Sequence, residues 1–359
     1  MTANRPSAPN RAPSKKSAAR SAHVRLLSRH YRLPWRILIV GCGDVGLRLI
    51  RQLRSRHPSA HLSILATARR SAQCDAIREA GAVPLQLDLD RSSDATRLAA
   101  LGRHVVILVQ PSEGSARDLR SRKLVSAWAA AGGAARLGQS FVYLSTTGVY
   151  GDRGGAWTDE CSPAVPRSDR SRRRHDAEQQ WQGRLGAARL RVPGIYADDR
   201  LPLERIAQGL PCAITSEDSY SNHLHAEDLA QLAWLALFRA RPGRLYTVVD
   251  DEPLTMGQWF DTVAQASGLP PVPRLPREQL KTRVSPMMWS FMSESRRMHN
   301  ARMHAELRPR LIAPRARDYL LSIAAQRRPG QSQESEAQPP RLQSRAESER
   351  QHERPDAFA

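Results

Sequence analysis

Lysine is almost missing from this chain. Of its 55 basic side chains only Lys15, Lys16, Lys123 and Lys281 are lysines, and all the others are arginine. Aromatic residues are scarce too, at 5%. A formal charge of +20 suggests a nucleic-acid partner. The arginines, however, are scattered along the whole length, no aromatics interleave with them, and no docking motif occurs, so nucleic acid is not an expected partner. Cysteine occurs only at Cys42, Cys74, Cys161 and Cys212. This spacing offers neither a CxxC knuckle nor a disulfide framework, so no metal site is expected, and free thiols fit a cytoplasmic location. No apolar run approaches bilayer-spanning length, and no apolar stretch of the secretory kind stands at the N-terminus. No membrane partner is expected.

Acidic residues are absent from residues 1–33, which hold eight Lys or Arg among frequent Ser, Ala and Pro. Such a segment buries too little apolar surface to order itself. It reads as a disordered basic extension, although targeting peptides share this composition. Residues 326–359, rich in Gln, Ser, Glu, Arg and Pro, read as a disordered tail. Between them, 40% hydrophobic content supports a real core. Strands are expected at Arg36–Val40, Ser63–Thr67, Val83–Leu87, Val105–Val109 and Phe141–Leu144, with helices between them, such as Leu119–Ala130. This alternation predicts an α/β fold, a doubly wound parallel sheet with helices on both faces. The core is expected over 34–192. A mixed substrate-binding part over 193–325 returns some elements to the sheet, including a helical stripe at Leu229, Leu232, Ala233, Ala236 and Leu237 and a strand at Tyr246–Val249.

Gly41-Cys42-Gly43-Asp44-Val45-Gly46 is a GxGxxG that follows a strand and opens a helix. The first glycine allows the tight turn, the second lets backbone approach a pyrophosphate, and the third lets helix and strand pack closely. Dinucleotide sites selective for NAD place an acid about 20 residues further on, to hold the ribose 2′-OH. Here the stretch reads Ala66-Thr67-Ala68-Arg69-Arg70, with no acid between Asp44 and Asp75. Arg69 and Arg70 suit a 2′-phosphate, so NADP is expected ahead of NAD. Asp88-Leu89, at the end of the third strand, is placed to meet the adenine amino group or to cap the next turn.

Phe141-Val142-Tyr143-Leu144-Ser145-Thr146-Thr147-Gly148-Val149-Tyr150-Gly151 resembles the fifth strand of the extended short-chain dehydrogenase/reductases, the NAD(P)-dependent epimerase/dehydratase group. Glu160 and Pro163 match the loop after it. Arg191-Val192-Pro193-Gly194-Ile195-Tyr196 is similar to the sixth strand and the nicotinamide-side turn, and Ser221–Ala230 to an Asn…His…Asp-Leu-Ala element. The resemblance covers residues 36–319. It implies a Rossmann fold with Pro193 and Ile195 beside the nicotinamide. It also implies a Tyr-x-x-x-Lys acid–base pair, and there the sequence departs from the pattern. Alignment on Ala177-Glu178 puts Arg170 at the Tyr position and Arg174 at the Lys position, and none of the seven tyrosines has Lys four residues on. The chain therefore resembles an atypical branch. Arg174 can still hold ribose hydroxyls, whereas Arg170 is a poor proton shuttle. Thr146 falls at the helper Ser/Thr position. Tyr150 is the nearest phenol, either a replacement acid or, more plainly, a tyrosine buried under the sheet edge.

Other readings stay open in pairs. Asp228 begins a helix and is expected to be structural. The arginines at 167, 170, 172, 173 and 174 face either an anionic substrate or solvent. The methionine-rich stretch 287–303 either lines an adaptable pocket or packs on the core. Two functions follow. One is an NADP-dependent oxidoreductase or isomerase acting on a phosphorylated or nucleotide-linked small molecule. The other is a non-catalytic NADP(H)-binding sensor. A monomer or homodimer suits both.

Overall fold

The computed structural model describes residues 35–57, 61–132 and 139–327. The basic extension and nearly all of the expected tail lie outside the described residues. Gln326 and Arg327 are the exception, because they close the last helix.

Seven parallel strands form the central sheet: β1 (Trp35–Val40), β2 (Leu62–Ala68), β3 (Val83–Gln86), β4 (His104–Ile107), β5 (Ser140–Thr146), β7 (Ala188–Val192) and β12 (Leu245–Thr247). Their order is β12-β7-β5-β4-β1-β2-β3. Period-2 alternation sends Ile37 and Ile39 into one core and Leu38 and Val40 into the other, so both faces of β1 are apolar and buried. Helices α1 (Asp44–Arg56), α2 (Ser71–Glu79) and α7 (Ala226–Arg239) cover the first face. Helices α3 (Ser92–Ala99), α4 (Leu119–Ala130) and α5 (Asp169–Leu185) cover the second. The chain direction across the sheet reverses between β1 and β4, and a crevice opens there at the strand C-termini.

The expected strands are all present with shifted ends. The most consequential shift is in β5, which runs on through Ser145 and Thr146 and carries both to the crevice.

The second part is built differently. Its strands β6 (Trp157–Thr158), β8 (Gly194–Tyr196), β9 (Cys212–Ala213), β10 (Tyr220–Ser221), β11 (His223–His225), β13 (Leu254–Thr255), β14 (Arg274–Leu275) and β15 (Arg297–Met298) are two or three residues long and pair only two by two. Around them lie the short helix α6 (Leu203–Ala207), α8 (Met256–Ala266), α9 (Arg277–Arg283), α10 (Pro286–Met292) and α11 (Ala316–Arg327). These elements enclose a separate core that includes Tyr196, Trp259, Phe260, Val263 and Leu320. From the same stretch, α7 and β12 return to the sheet. Among the described residues no helix is long and apolar enough to cross a membrane, and no group of His, Cys, Asp or Glu is placed to hold a metal. All four cysteines are free thiols.

Candidate active site

The glycine loop leaves β1 in a conformation only glycine holds comfortably. Gly41 has φ +84, and a Cβ there would stand 2.7 Å from the Val109 backbone beyond β4. Its N–H donates to Thr67 Oγ1 at 2.8 Å, which ties the loop to the end of β2. Gly43 faces open space. A Cβ on Gly46 would meet Cys42 Sγ at 2.8 Å, so the third glycine is needed for the buried Cys42 thiol to pack beneath the helix. Burial pushes that thiol up to about 12, so it is inert at neutral pH. No side chain caps α1, whose first N–H groups face the crevice.

A cavity of ≈490 Å³ lies in front of this loop, lined by Gly41, Gly43, Asp44, Val45, Gly46, Ser145, Thr146, Arg170, Arg174, Pro193 and Ile195 among others. Residues from widely separated stretches of the sequence therefore meet at one cleft. Arg174 is buried and held firmly. It donates to Leu144 O at 3.1 Å, to Tyr143 Oη at 3.3 Å and to the Gln110 side chain. Ser145 Oγ is buried with no protein partner. Asp44 puts a carboxylate at the same cleft. Burial pushes it up, but hydrogen bonds from Arg48 and Arg200 outweigh this and hold it below its ordinary value.

Beside this cleft opens a larger cavity of ≈690 Å³, walled by Trp259, Phe260, Met287, Met288 and Phe291 and floored by Ser221 and His223. Thr146, Arg170, Pro193, Ile195 and Arg200 line both cavities. Thr146 Oγ1 accepts from Gly148 N–H at 3.2 Å, which leaves its own proton free to donate. His223 is stacked on Trp259 at 4.0 Å, its Nε2 lies 3.2 Å from Ser221 Oγ, and its Nδ1 has no partner. Burial pushes His223 down to about 3, so it is neutral.

Several expected residues stand elsewhere. Tyr150 lines neither cavity. It is 0% exposed, with its hydroxyl 3.3 Å from Thr247 Oγ1 and the Arg191 guanidinium over its ring, so in this structure it is a tyrosine buried away from both cavities. Burial pushes its phenol up, further from use as an acid. Arg69 and Arg70 are exposed at the end of β2 and outside the cavity lining. Asp88 accepts from Asp90 N–H at 3.0 Å and so caps its turn, while Leu89 packs on the second core. Asp228 accepts from Ile312 and Ala313 N–H groups, a structural role. Of the arginine run, Arg170 and Arg174 reach the cavities, while Arg172 pairs with Asp169 and Arg167 with Asp152. The methionine stretch divides: Met287 and Met288 line the cavity, and Met292, Met298 and Met303 are buried.

A conserved protein of unknown function from Silicibacter pomeroyi superposes with a TM-score of 0.69 at 33% identity, over 81% of this chain and 99% of that one. The chain belongs to that protein's family. Below 25% identity the likeness concerns the fold. UDP-glucose 4-epimerase from Thermotoga maritima matches with a TM-score of 0.61 at 16% identity, over 81% of this chain and 97% of that one. The dTDP-glucose 4,6-dehydratase from Bacillus anthracis, solved in complex with NAD, matches with 0.62 at 13% identity, over 82% and 97%. The family thus has the Rossmann-like fold of the NAD-dependent epimerases and dehydratases. No family model matches the chain, and no curated protein does.

Sequence reasoning missed Gln110, Ser145, Arg200, Arg205 and His223. Only Ser145 and His223 sat inside matched motifs. The others reach the site through folding of distant segments and carry no local signal.

Proposed function

We propose that the protein is an NADP-preferring oxidoreductase or isomerase acting on a small molecule. The observation that carries this reading is the junction of the two cavities, where Thr146, Arg170, Pro193, Ile195 and Arg200 face both. A dinucleotide cleft that opens onto a second cavity at the end of β5 is what hydride transfer between cofactor and substrate requires.

The smaller cleft fits NAD(P). Uncapped N–H groups of α1, behind a loop whose Gly41 and Gly43 carry no side chain, suit a pyrophosphate. Arg174, lining the cleft, would hold ribose hydroxyls, and the orphaned Ser145 hydroxyl offers a further polar contact. When bound, the cofactor supplies or accepts hydride. Thr146 would direct its free proton at the reacting substrate oxygen. Arg69 and Arg70, exposed at the end of β2, would favour NADP over NAD by bidentate contact with a 2′-phosphate.

Calorimetric titration with NADPH and NADH tests the cofactor. NADPH should bind more tightly, and the Arg69→Ala/Arg70→Ala variant should lose affinity for NADPH alone. Equal losses for both cofactors would sink the preference. Turnover is tested on a panel of carbonyl compounds and phosphorylated or nucleotide-linked sugars. Thr146→Ala should slow it about 100- to 1000-fold with cofactor affinity unchanged. Tight NADPH binding without turnover on any substrate would mark a binding protein instead.

A further inference from the structure

Four arginines, Arg170, Arg200, Arg205 and Arg296, line the larger cavity against one carboxylate, Glu294. Two of them are neutralised: Arg200 pairs with Asp44 and Arg296 with Glu294, each at 2.8 Å. The other two lie over aromatic faces, and Arg205 also donates to the Pro211 carbonyl. Arg170 lies over Phe291 at 4.8 Å and Arg205 over Phe260 at 4.7 Å. Among the described residues neither makes an ion pair. A ring face orients a guanidinium without cancelling its charge. Partial desolvation of the guanidinium lowers the pKa of both; at Arg170 the Arg174 charge adds to this and Glu294 offsets part of it, a condition that a bound anion relieves further.

Part of the polar lining is already committed within the protein. Asn222 uses both ends of its amide on the Arg296 carbonyl and the Met298 N–H. Ser168 and Ser171 form the capping box of α5. Ser290 donates to the Met287 carbonyl. Sites that discriminate hydroxyl-rich ligands need free, converging donors and acceptors. Beside the Thr146 hydroxyl, His223 Nδ1 and the Tyr196 hydroxyl, this cavity leaves free a wide apolar surface and two guanidinium groups outside any ion pair.

We infer that the larger cavity binds an organic oxyanion with an apolar, planar body, its acid group held by Arg170 and Arg205 and its body laid against Trp259, Phe260 and Phe291. The inference rests on reading this cavity as the substrate site, and it is independent of the cofactor assignment.

The full chain is titrated calorimetrically with phenyl phosphate, benzoate, inorganic phosphate and UDP-glucose, with and without NADPH. Phenyl phosphate or benzoate should bind at least tenfold more tightly than inorganic phosphate and UDP-glucose. Arg170→Met and Arg205→Met, which keep the aliphatic stem, should each weaken that binding about tenfold or more, and Phe291→Ala should weaken it too. Arg167→Met, on the same stretch but outside the cavity, should leave it unchanged. Arg170 and Phe291 are exposed enough that their variants should fold, and a thermal melt checks this. Tighter binding of UDP-glucose, equal binding of inorganic phosphate, or aromatic anion binding that survives both arginine variants would overturn the inference. Failure of NADPH alone to bind would count against the cofactor reading and leave this one standing.

Discussion

The two adjoining cavities are made by opposite means. The smaller is built mainly from backbone: a glycine turn, an uncapped helix start and the ends of parallel strands. The larger is built from side chains on segments around residues 168–171, 193–205, 219–223, 256–260 and 287–296, joined by strands of two or three residues. The first geometry is set by local rules that repeat along the chain. The second is set by pairings between distant residues, such as Arg205 on Phe260 and Asn222 on Met298. Backbone sites tolerate sequence drift as long as the turn survives. Side-chain sites can change ligand with one substitution, which suits a fold shared by many activities.

The largest expected effect belongs to the backbone-built half. Glu178 on α5 and Arg191 on β7 form a bidentate pair at 3.0 and 2.8 Å, with Glu178 fully buried. Arg191 also covers the Tyr150 ring. Arg191→Met leaves the buried carboxylate without its hydrogen-bonding partner, with only the Arg189 charge nearby, and stability should fall by about 3–5 kcal/mol. Urea unfolding at pH 7 measures it. A loss below about 1 kcal/mol would mean that this half does not depend on its buried Glu178–Arg191 pair.

A smaller, pH-dependent effect marks the side-chain-built half. His223 is held neutral by burial, at about 3 against an ordinary 6.5. Below pH 6.5 the unfolded chain takes up a proton that folded His223 refuses. Its contribution is therefore fully present above 6.5 and is lost as pH falls toward 3. His223→Gln removes this slope. The stability difference between pH 7 and pH 4.5 should shrink by roughly 2–3 kcal/mol, because each tenfold difference in proton affinity between the folded and unfolded chain is worth about 1.36 kcal/mol. His104, His175 and His225 are also pushed down by burial and keep the rest of the acid sensitivity in both proteins. Parallel pH profiles for the parent and the variant would show that His223 titrates in water.

The same division decides what was legible in the sequence. GxGxxG after an apolar strand gave the loop and the crevice, because Gly41 and Gly46 are needed for reasons of local backbone. Motif spacing put Arg170 and Arg174 on the helix beside β5, and both reach the cleft. For Tyr150 the sequence left two readings, a replacement acid or, more plainly, a tyrosine buried under the sheet edge. Its motif position is right, but the short 3-10 turn at Thr147–Tyr150 swings its ring beneath Arg191 rather than toward Thr146. The substrate wall was barely visible. Met287, Met288 and Phe291 fall in a stretch that reads equally well as a core helix, and Arg170, which lies over Phe291, is more than a hundred residues away in sequence.

The smallest expected effect concerns that misplaced phenol. Tyr150 is fully buried, and its hydroxyl lies at the long distance of 3.3 Å from Thr247 Oγ1 and also meets the Arg191 guanidinium. Tyr150→Phe keeps the ring under Arg191 and loses these weak hydroxyl contacts. A hydrogen bond between neutral groups contributes about 0.5–1.5 kcal/mol net, and the unpaired Thr247 hydroxyl sets a similar cost. Stability should therefore drop by about 1 kcal/mol, within reach of replicate urea midpoints. NADPH affinity should not move, because the ring touches neither cavity. Turnover on any substrate found active should survive with its pH profile intact. A profile that loses its acidic limb in Tyr150→Phe would show that the phenol reaches the cleft in the liganded protein. The division between a backbone-built cofactor cleft and a side-chain-built substrate cavity would then fail at the point where the two meet.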